Sequence, residues 1–172
     1  MKKRLLIDTA RLLGVSTEDI PKAIQKLMEE IKEKEKEIAR LKEKLWAGGT
    51  ALFDIKKESL GPIYFYFGLL EDVDPKDMLA LADNIRNKDN KAIVSLLSKR
   101  GDKVSSLIAL SRALTGQISA KDLMNIVSEH LGGGGGGRDD LVQGGVNTLE
   151  GLQTALEALK SVIIDRFKEV KG

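Results

Sequence analysis

The sequence predicts an α+β protein, within the broader α/β class: a helical hairpin or coiled-coil arm followed by a mixed sheet packed with helices and a glycine-rich loop. Three observations carry that expectation. Ile24, Ile31, Ile38 and Leu45 fall seven apart, the spacing of a long helix with an apolar seam. Three later runs, "PIYFYFGLL", "KAIVSLLS" and "KVSSLIALS", have the dense aliphatic, aromatic and β-branched content of strands. Capping residues then stand ahead of apolar stretches with helical period.

The opening "KKRLLIDTARLLGV" places Leu5, Leu6, Ala10, Leu12 and Leu13 on a short amphipathic helix that Gly14 stops. Asp19 is positioned to cap the next helix, and Pro21 fits its first turn, where a missing N–H is tolerated. In that helix Leu27 and Leu41 fill two intermediate seam positions, while the third is Lys34, inside "KEKEKE". The spacing makes Ile24, Leu27, Ile31, Ile38, Leu41 and Leu45 a candidate dimer interface. Lys34 weighs against a simple two-stranded zipper, and a hairpin packed within one chain remains a competing arrangement. "AGG" at Ala47 to Gly49 punctuates the chain. It divides a helical dimerisation subdomain, residues 1–48, from a globular subdomain, residues 49–172, with Trp46 expected to lock the junction by packing.

"TALFDIKKESLG" reads as a short helix beginning near Thr50. "PIYFYFGLL" follows as a strand covered on both faces, in which Tyr64 and Phe65 serve packing rather than base stacking. Asp74 caps a helix with Pro75 at its first position and Met78, Leu81, Ala82 and Ile85 on one face. The two strands around "KRGD" form a hairpin. Ser119 and Asp122 make a capping box for a helix with Leu123, Ile126, Val127 and Leu131 inward. Asn147 and Glu150 make another for a terminal helix striped by Leu152, Leu156, Leu159, Ile163 and Phe167.

Composition narrows the function classes. The 172 residues suffice for one domain with an appendage. With no cysteine there is no disulfide, thiolate metal site or cysteine nucleophile, and one histidine makes no histidine-rich metal centre within a chain. A net charge of +2 does not identify a nucleic-acid partner, so any such surface must come from local clustering. No apolar run of eighteen residues and no secretion-signal pattern is present, which leads to the expectation of a cytoplasmic protein without a membrane partner.

"LGGGGGGRDDLVQGG" raises the sharpest question. Six ordered glycines are entropically costly, so the run is a mobile surface loop, a surface that lets an anionic ligand or nucleic-acid backbone approach closely, or a catalytic loop. Gly132 follows Leu131 where a left-handed cap is expected. Arg138 supplies a guanidinium suited to phosphate. Asp139 and Asp140 oppose a simple phosphate cradle, and the stretch has neither the ending of a P-loop nor a dinucleotide fingerprint. Lys99, Arg100 and Lys103 at one sheet turn, with Arg112 and Lys121 beside the next connection, are candidates to converge with Arg138. His130 suits a helix end better than a general base, and Asp139 with Asp140 suit a turn or ion pairs better than a metal.

Taken with "ISAKDLMNIVSEH" before it and the long terminal helix after it, the glycine stretch resembles the C-terminal domain of alanyl-tRNA synthetases, which is shared with DHH-type phosphoesterases. The resemblance covers about Thr50 to Phe167, and the preceding arm fits the archaeal type. It implies a module without catalytic residues, metal or cofactor that forms a homodimer through the helical arm and touches the outer corner of tRNA, with tRNA-Ala the implied RNA. The parent's aminoacylating and editing domains, absent here, would be its other partners. Gly132 to Gly137, Arg138, Gln143, Gly144 and Gly145 match the family's glycine-rich signature. Where the phosphoesterases usually carry histidine this chain has Arg138, which favours the synthetase branch. A protein-only oligomerisation scaffold and a phosphoesterase substrate-binding domain are the alternatives.

Overall fold

The computed structural model describes residues 1–47 and 53–168, except for the side chains of Trp46 and Ala47. The expected breakpoint at Gly48 and Gly49, the helix start at Thr50 and the packing role of Trp46 lie outside the described residues. The chain divides into two compact units, Met1–Leu45 and Trp46–Gly172.

The first unit is helical. α1 (Lys2–Leu13) ends on Gly14, whose φ of 65° and ψ of 32° are left-handed and favour glycine. The Val15 N–H donates to Ala10 O at 3.0 Å and completes the cap. After a 3₁₀ turn (Thr17–Asp19), α2 (Ile20–Ala47) runs 28 residues. Pro21 sits in its first turn, as the sequence predicts, while the Asp19 carboxylate accepts the Ser16 hydroxyl at 2.6 Å. Among the described apolar residues of this unit, only Ala10 and Ile20 are buried.

The second unit is a six-stranded mixed sheet with helices on both faces. Its strands are β1 (Ile55–Leu60), β2 (Ile63–Glu71), β3 (Ala92–Arg100), β4 (Lys103–Leu110), β5 (Gly134–Arg138) and β6 (Leu141–Val146). They lie in the order β1-β2-β3-β4-β6-β5. Only β2 and β3 are parallel, because α3 (Pro75–Lys88) provides the crossover between them. α3 covers one face through Met78, Leu81, Ala82 and Ile85, the four residues its periodicity selects. α4 (Ala120–Leu131) and α5 (Leu152–Lys168) cover the other, meeting Phe65, Ile93, Leu97, Ile108 and Val142. The Asp74 cap is present, with Asp77 N–H donating to its carboxylate at 2.8 Å. The β3–β4 hairpin has the expected pairing, Ile93 opposite Leu110 through Arg100 opposite Lys103.

Four local expectations are corrected. "DIKKESL" is not helical: it is the edge strand β1, paired with β2 from Ile55 opposite Gly68 to Leu60 opposite Ile63. A two-residue connection at Gly61 and Pro62 and the neighbouring strand outweigh a weak helical preference. β2 is covered through Phe65 and Tyr66, while Tyr64 and Leu69 remain partly exposed near its ends. Ser119 caps α4 by accepting the Lys121 N–H rather than through a reciprocal box with Asp122. α5 begins at Leu152, after a turn in which the Thr148 hydroxyl accepts the Glu150 N–H, so Asn147 is not its cap.

Candidate functional site

The glycine run is not a loop. Gly134 to Arg138 form β5, the outer strand of the sheet, paired antiparallel with Leu141 to Gly145 of β6. Alternation of side chains cannot reveal a strand here, because glycine has no side chain to alternate. The hairpin turn is pinned by its own backbone: Leu110 N–H donates to Asp140 O at 2.8 Å, and Ala120 N–H to Asp139 O at 2.7 Å. At the other end Gly132 N–H donates to Ser128 O, and Asn147 and Thr148 N–H groups converge on Leu131 O.

Space around the glycines separates two roles. A side chain at Gly144 would collide with the Gly134 carbonyl, and one at Gly133 with the Gly145 carbonyl, so these positions let the two strands close. At Gly135 a Cβ would stand 2.9 Å from Gln143 O. Gly134 and Gly136, by contrast, face open space. They oppose Gly145 and Gln143, so these four residues share one face. It is the face that carries α3, to which Gln143 is tied by an Nε2 contact of 3.4 Å to Pro75 O. The result is a strip of bare, exposed backbone at the sheet edge.

Both aspartates act as struts. Asp140 receives Arg138 Nε at 3.3 Å and Arg86 Nη1 at 3.5 Å, and Arg86 also binds Asp83 at 2.6 Å. Arg86, which the sequence does not single out, therefore fastens α3 to the hairpin turn. Asp139 pairs with Lys121 at 3.5 Å and accepts the Ser119 hydroxyl at the same distance. Arg138 remains 72% exposed at its side chain and is the cation closest to the glycine strip that solvent reaches.

The six basic candidates do not converge. Arg138 opposes Leu141, which opposes Ala109, whereas Lys103 opposes Arg100. Six residues of β4, roughly 20 Å, separate those levels. Arg112, directly after β4, and Lys121, at the start of α4, lie at Arg138's end, while Lys99, Arg100 and Lys103 lie at the other. A β-hairpin sends its turn to one end and its strand termini to the other, which proximity in sequence does not show.

The seam residues of α2 are all present on the surface. Ile24, Leu27, Ile31, Ile38, Leu41 and Leu45 are each 43–57% exposed, and Met28 adds to the same stripe. Lys34 is engaged with Glu37 at 3.6 Å on its own helix. His130 is exposed in the last turn of α4. Among the described residues no three histidine, aspartate or glutamate side chains form a metal-binding group, and no helix is long and apolar enough to cross a membrane.

One titrating cluster escapes sequence reading because three elements build it. The Tyr66 hydroxyl donates to Asp89 at 3.0 Å, and Lys57 lies 3.5 Å from the same carboxylate and 4.0 Å from the centre of the Tyr64 ring. Burial raises the Tyr66 pKa above that of a free tyrosine, and the Tyr66 hydroxyl beside Lys57 holds its ammonium above the ordinary lysine value. The cluster ties β1, β2 and the end of α3 together, away from the glycine strip.

Comparison with known proteins is specific. The DHHA1 domain family matches residues 62–165. The alanine–tRNA ligase of Francisella tularensis subsp. holarctica is 37% identical over 146 residues, 85% of this chain and 17% of that protein. The ligase of Francisella philomiragia is 34% identical over the same length. The chain thus spans 17% of the length of these curated relatives. Among solved structures, the C-Ala domain from Aquifex aeolicus alanyl-tRNA synthetase has a TM-score of 0.60 and 34% identity, over 63% of this chain and 98% of that one. A DHH domain from a member of a family of ribosomal proteins has a TM-score of 0.52 at 16% identity, over 83% of this chain and 33% of that one, a likeness of fold alone.

Proposed function

The chain belongs to the DHHA1 domain family, and on that footing we propose that it is a non-catalytic module of an alanine–tRNA ligase, self-associating through α2 and binding the outer corner of tRNA through the β5–β6 hairpin. The catalytic and editing domains of such a ligase would act on the RNA that this module holds. Similarity to the C-Ala domain of a synthetase supports the general role. The observation that carries the finer reading is the open backbone at Gly134 and Gly136 beside the exposed Arg138.

A folded RNA corner presents phosphates and ribose as a shape, and it is read by close approach rather than by base edges. Bare strand backbone permits that approach, and Arg138, with Arg112 and Lys121 at the same end, supplies positive charge. Lys99, Arg100 and Lys103 belong to a second contact, a roughly 20 Å step along the sheet. The exposed stripe of α2 favours a second reading, a protein-only oligomerisation scaffold.

Titration with folded tRNA separates the two. Gly136→Val adds bulk in open space, so the fold is retained and affinity falls roughly tenfold if the strip meets RNA. Arg138→Ala loses roughly threefold to tenfold, limited by its exposure and by Asp140. Affinity falls as salt rises, and an isolated acceptor stem binds more weakly. Equal affinity for wild type and both variants sinks the hairpin reading, and absence of any salt-dependent binding leaves the scaffold.

A further inference from the structure

Between the helices α4 and α5 and the first three strands lies a cavity of about 370 Å³, a size within the range of small-molecule sites. Leu97, Leu131, Leu156 and Leu159 give it apolar walls, with Phe67 on the sheet side. Neither strand of the glycine hairpin lines it. It opens to solvent where Asp54, Lys56, Leu69 and Gln153 are exposed at its rim.

Ser95 distinguishes this cavity from slack packing. It lines the cavity from the middle of β3, is 8% exposed, and has no hydrogen-bond partner among the described residues. The other three buried serines all have one: Ser98 donates to Val73 O, Ser106 to the Met124 sulfur, and Ser111 to Asp89 O. The Ser95 oxygen is not among the sealed side-chain polar atoms that lack a partner, so it stays within reach of solvent and of a molecule entering the cavity. The other polar side chains of the lining, Asp54, Lys56 and Gln153, are exposed, which leaves Ser95 as its buried polar side chain.

The lining also limits what fits. Asp54 and Lys56 carry opposite charges and so present no net charge to an entering group. No buried cation or carboxylate lies within, so an ionised ligand would lose its hydration uncompensated. A sugar or nucleobase would bring several polar edges to one inner partner. We propose that this cavity is a binding site for a neutral, mainly apolar molecule of one or two fused rings with a single hydrogen-bonding group, which Ser95 Oγ engages at the inner end.

Indole and N-methylindole are the probes, because they differ in the one N–H that Ser95 would accept. Titrated into the ¹⁵N-labelled full chain, both give saturable shifts confined to amides around Ser95, Gly68, Leu131 and Leu156, and indole binds roughly threefold to tenfold more tightly. Ser95→Ala abolishes that preference and leaves N-methylindole unchanged. Leu156→Trp fills the cavity and removes both responses, and if that variant does not fold, the comparison of the two probes on wild type and Ser95→Ala decides alone. Adenine gives no saturable response. The proposal is overturned if neither indole saturates, if the shifts lie elsewhere, if adenine binds as well as indole, or if the indole preference survives Ser95→Ala.

Discussion

Apolar residues at helical spacing meet two fates in this chain. In α3, Met78, Leu81, Ala82 and Ile85 are at most 6% exposed, because a sheet stands opposite them. In α2, six residues with an equally regular spacing remain 43–57% exposed, because nothing within their own unit covers them. The exposed stripe is not the weaker pattern, since α2 is the more strongly amphipathic of the two. The helices differ in what the fold places across from it, and a large aliphatic side chain left half in water forgoes roughly half of the 1.5–3 kcal/mol that full burial contributes. A periodic stripe therefore reports a face that requires cover, and only the tertiary structure says whether the chain supplies that cover itself.

Breaking the uncovered stripe has the largest expected effect. The double substitution Ile31→Asp and Ile38→Asp places four charges in a symmetric pair of seams and weakens self-association by at least about a hundredfold, since each lost apolar contact counts once per copy. Sedimentation equilibrium over a wide concentration range measures it. Unfolding of the sheet unit should be unmoved, because none of its core residues lies on α2. A wild-type chain that stays monomeric across that range would sink self-association through α2.

A substitution in the sheet unit should show the converse separation. Asp140→Ala removes one partner each from Arg86 and Arg138 and loosens the hairpin turn from α3. Arg86 keeps Asp83 and its contacts with main-chain carbonyls, so the expected loss is about 1–2 kcal/mol of stability rather than the larger cost of an abandoned buried charge. Chemical denaturation should register it while the association constant stays at the wild-type value. A variant as stable as wild type would mean that the backbone bonds to Leu110 and Ala120 alone hold the turn.

Legibility follows the same division. The covered faces of α3, α4 and α5 can be read because side chains of two kinds alternate there with a fixed period, and the β3–β4 hairpin because two dense apolar runs, buried on both faces, flank the turn residues. β1 reads wrongly as helix because an edge strand with "KKES" on its surface lacks that contrast, and β5 as a loop because four glycines offer no contrast at all. The signature residues of the candidate site are found through resemblance, but their geometry is not. That Gly134 and Gly136 are open while Gly135 and Gly144 are filled by the opposing strand depends on which backbone atoms the hairpin pairing brings face to face. Arg86 escapes notice because its role exists only once α3 lies beside the turn. Positive charge at successive connections groups Lys99, Arg100 and Lys103 with Arg138, and strand direction separates them.

The smallest effect sharpens the comparison within the sheet unit, where a polar cluster rather than an apolar face joins the elements. Tyr66→Phe keeps the ring that packs against α3 and removes the hydroxyl that donates to Asp89. At about pH 8 the loss is about 0.5–1.5 kcal/mol, one neutral donor to a carboxylate that retains Lys57 and the Lys91 N–H. The pH dependence carries the sign. Tyr66 has its folded pKa raised, so the native state holds this proton more tightly than the unfolded chain does. The resulting contribution is fully present below the unfolded value of 10.0 and is lost as pH rises through the folded one. Lys57 is raised as well, and its contribution fades in the same direction from 10.5 upward. Wild type therefore loses stability above about pH 10 faster than Tyr66→Phe does, and the gap between them narrows or reverses by about pH 11. Denaturation of both chains at the two pH values tests this: the Lys57 titration, raised chiefly by the Tyr66 hydroxyl, changes with it in the same direction, and the remaining alkaline titrations are common to the pair. A gap of constant size would mean that the tyrosine ionises in the folded protein as readily as in the unfolded chain, and that packing of the ring, not its hydroxyl, secures this edge of the sheet.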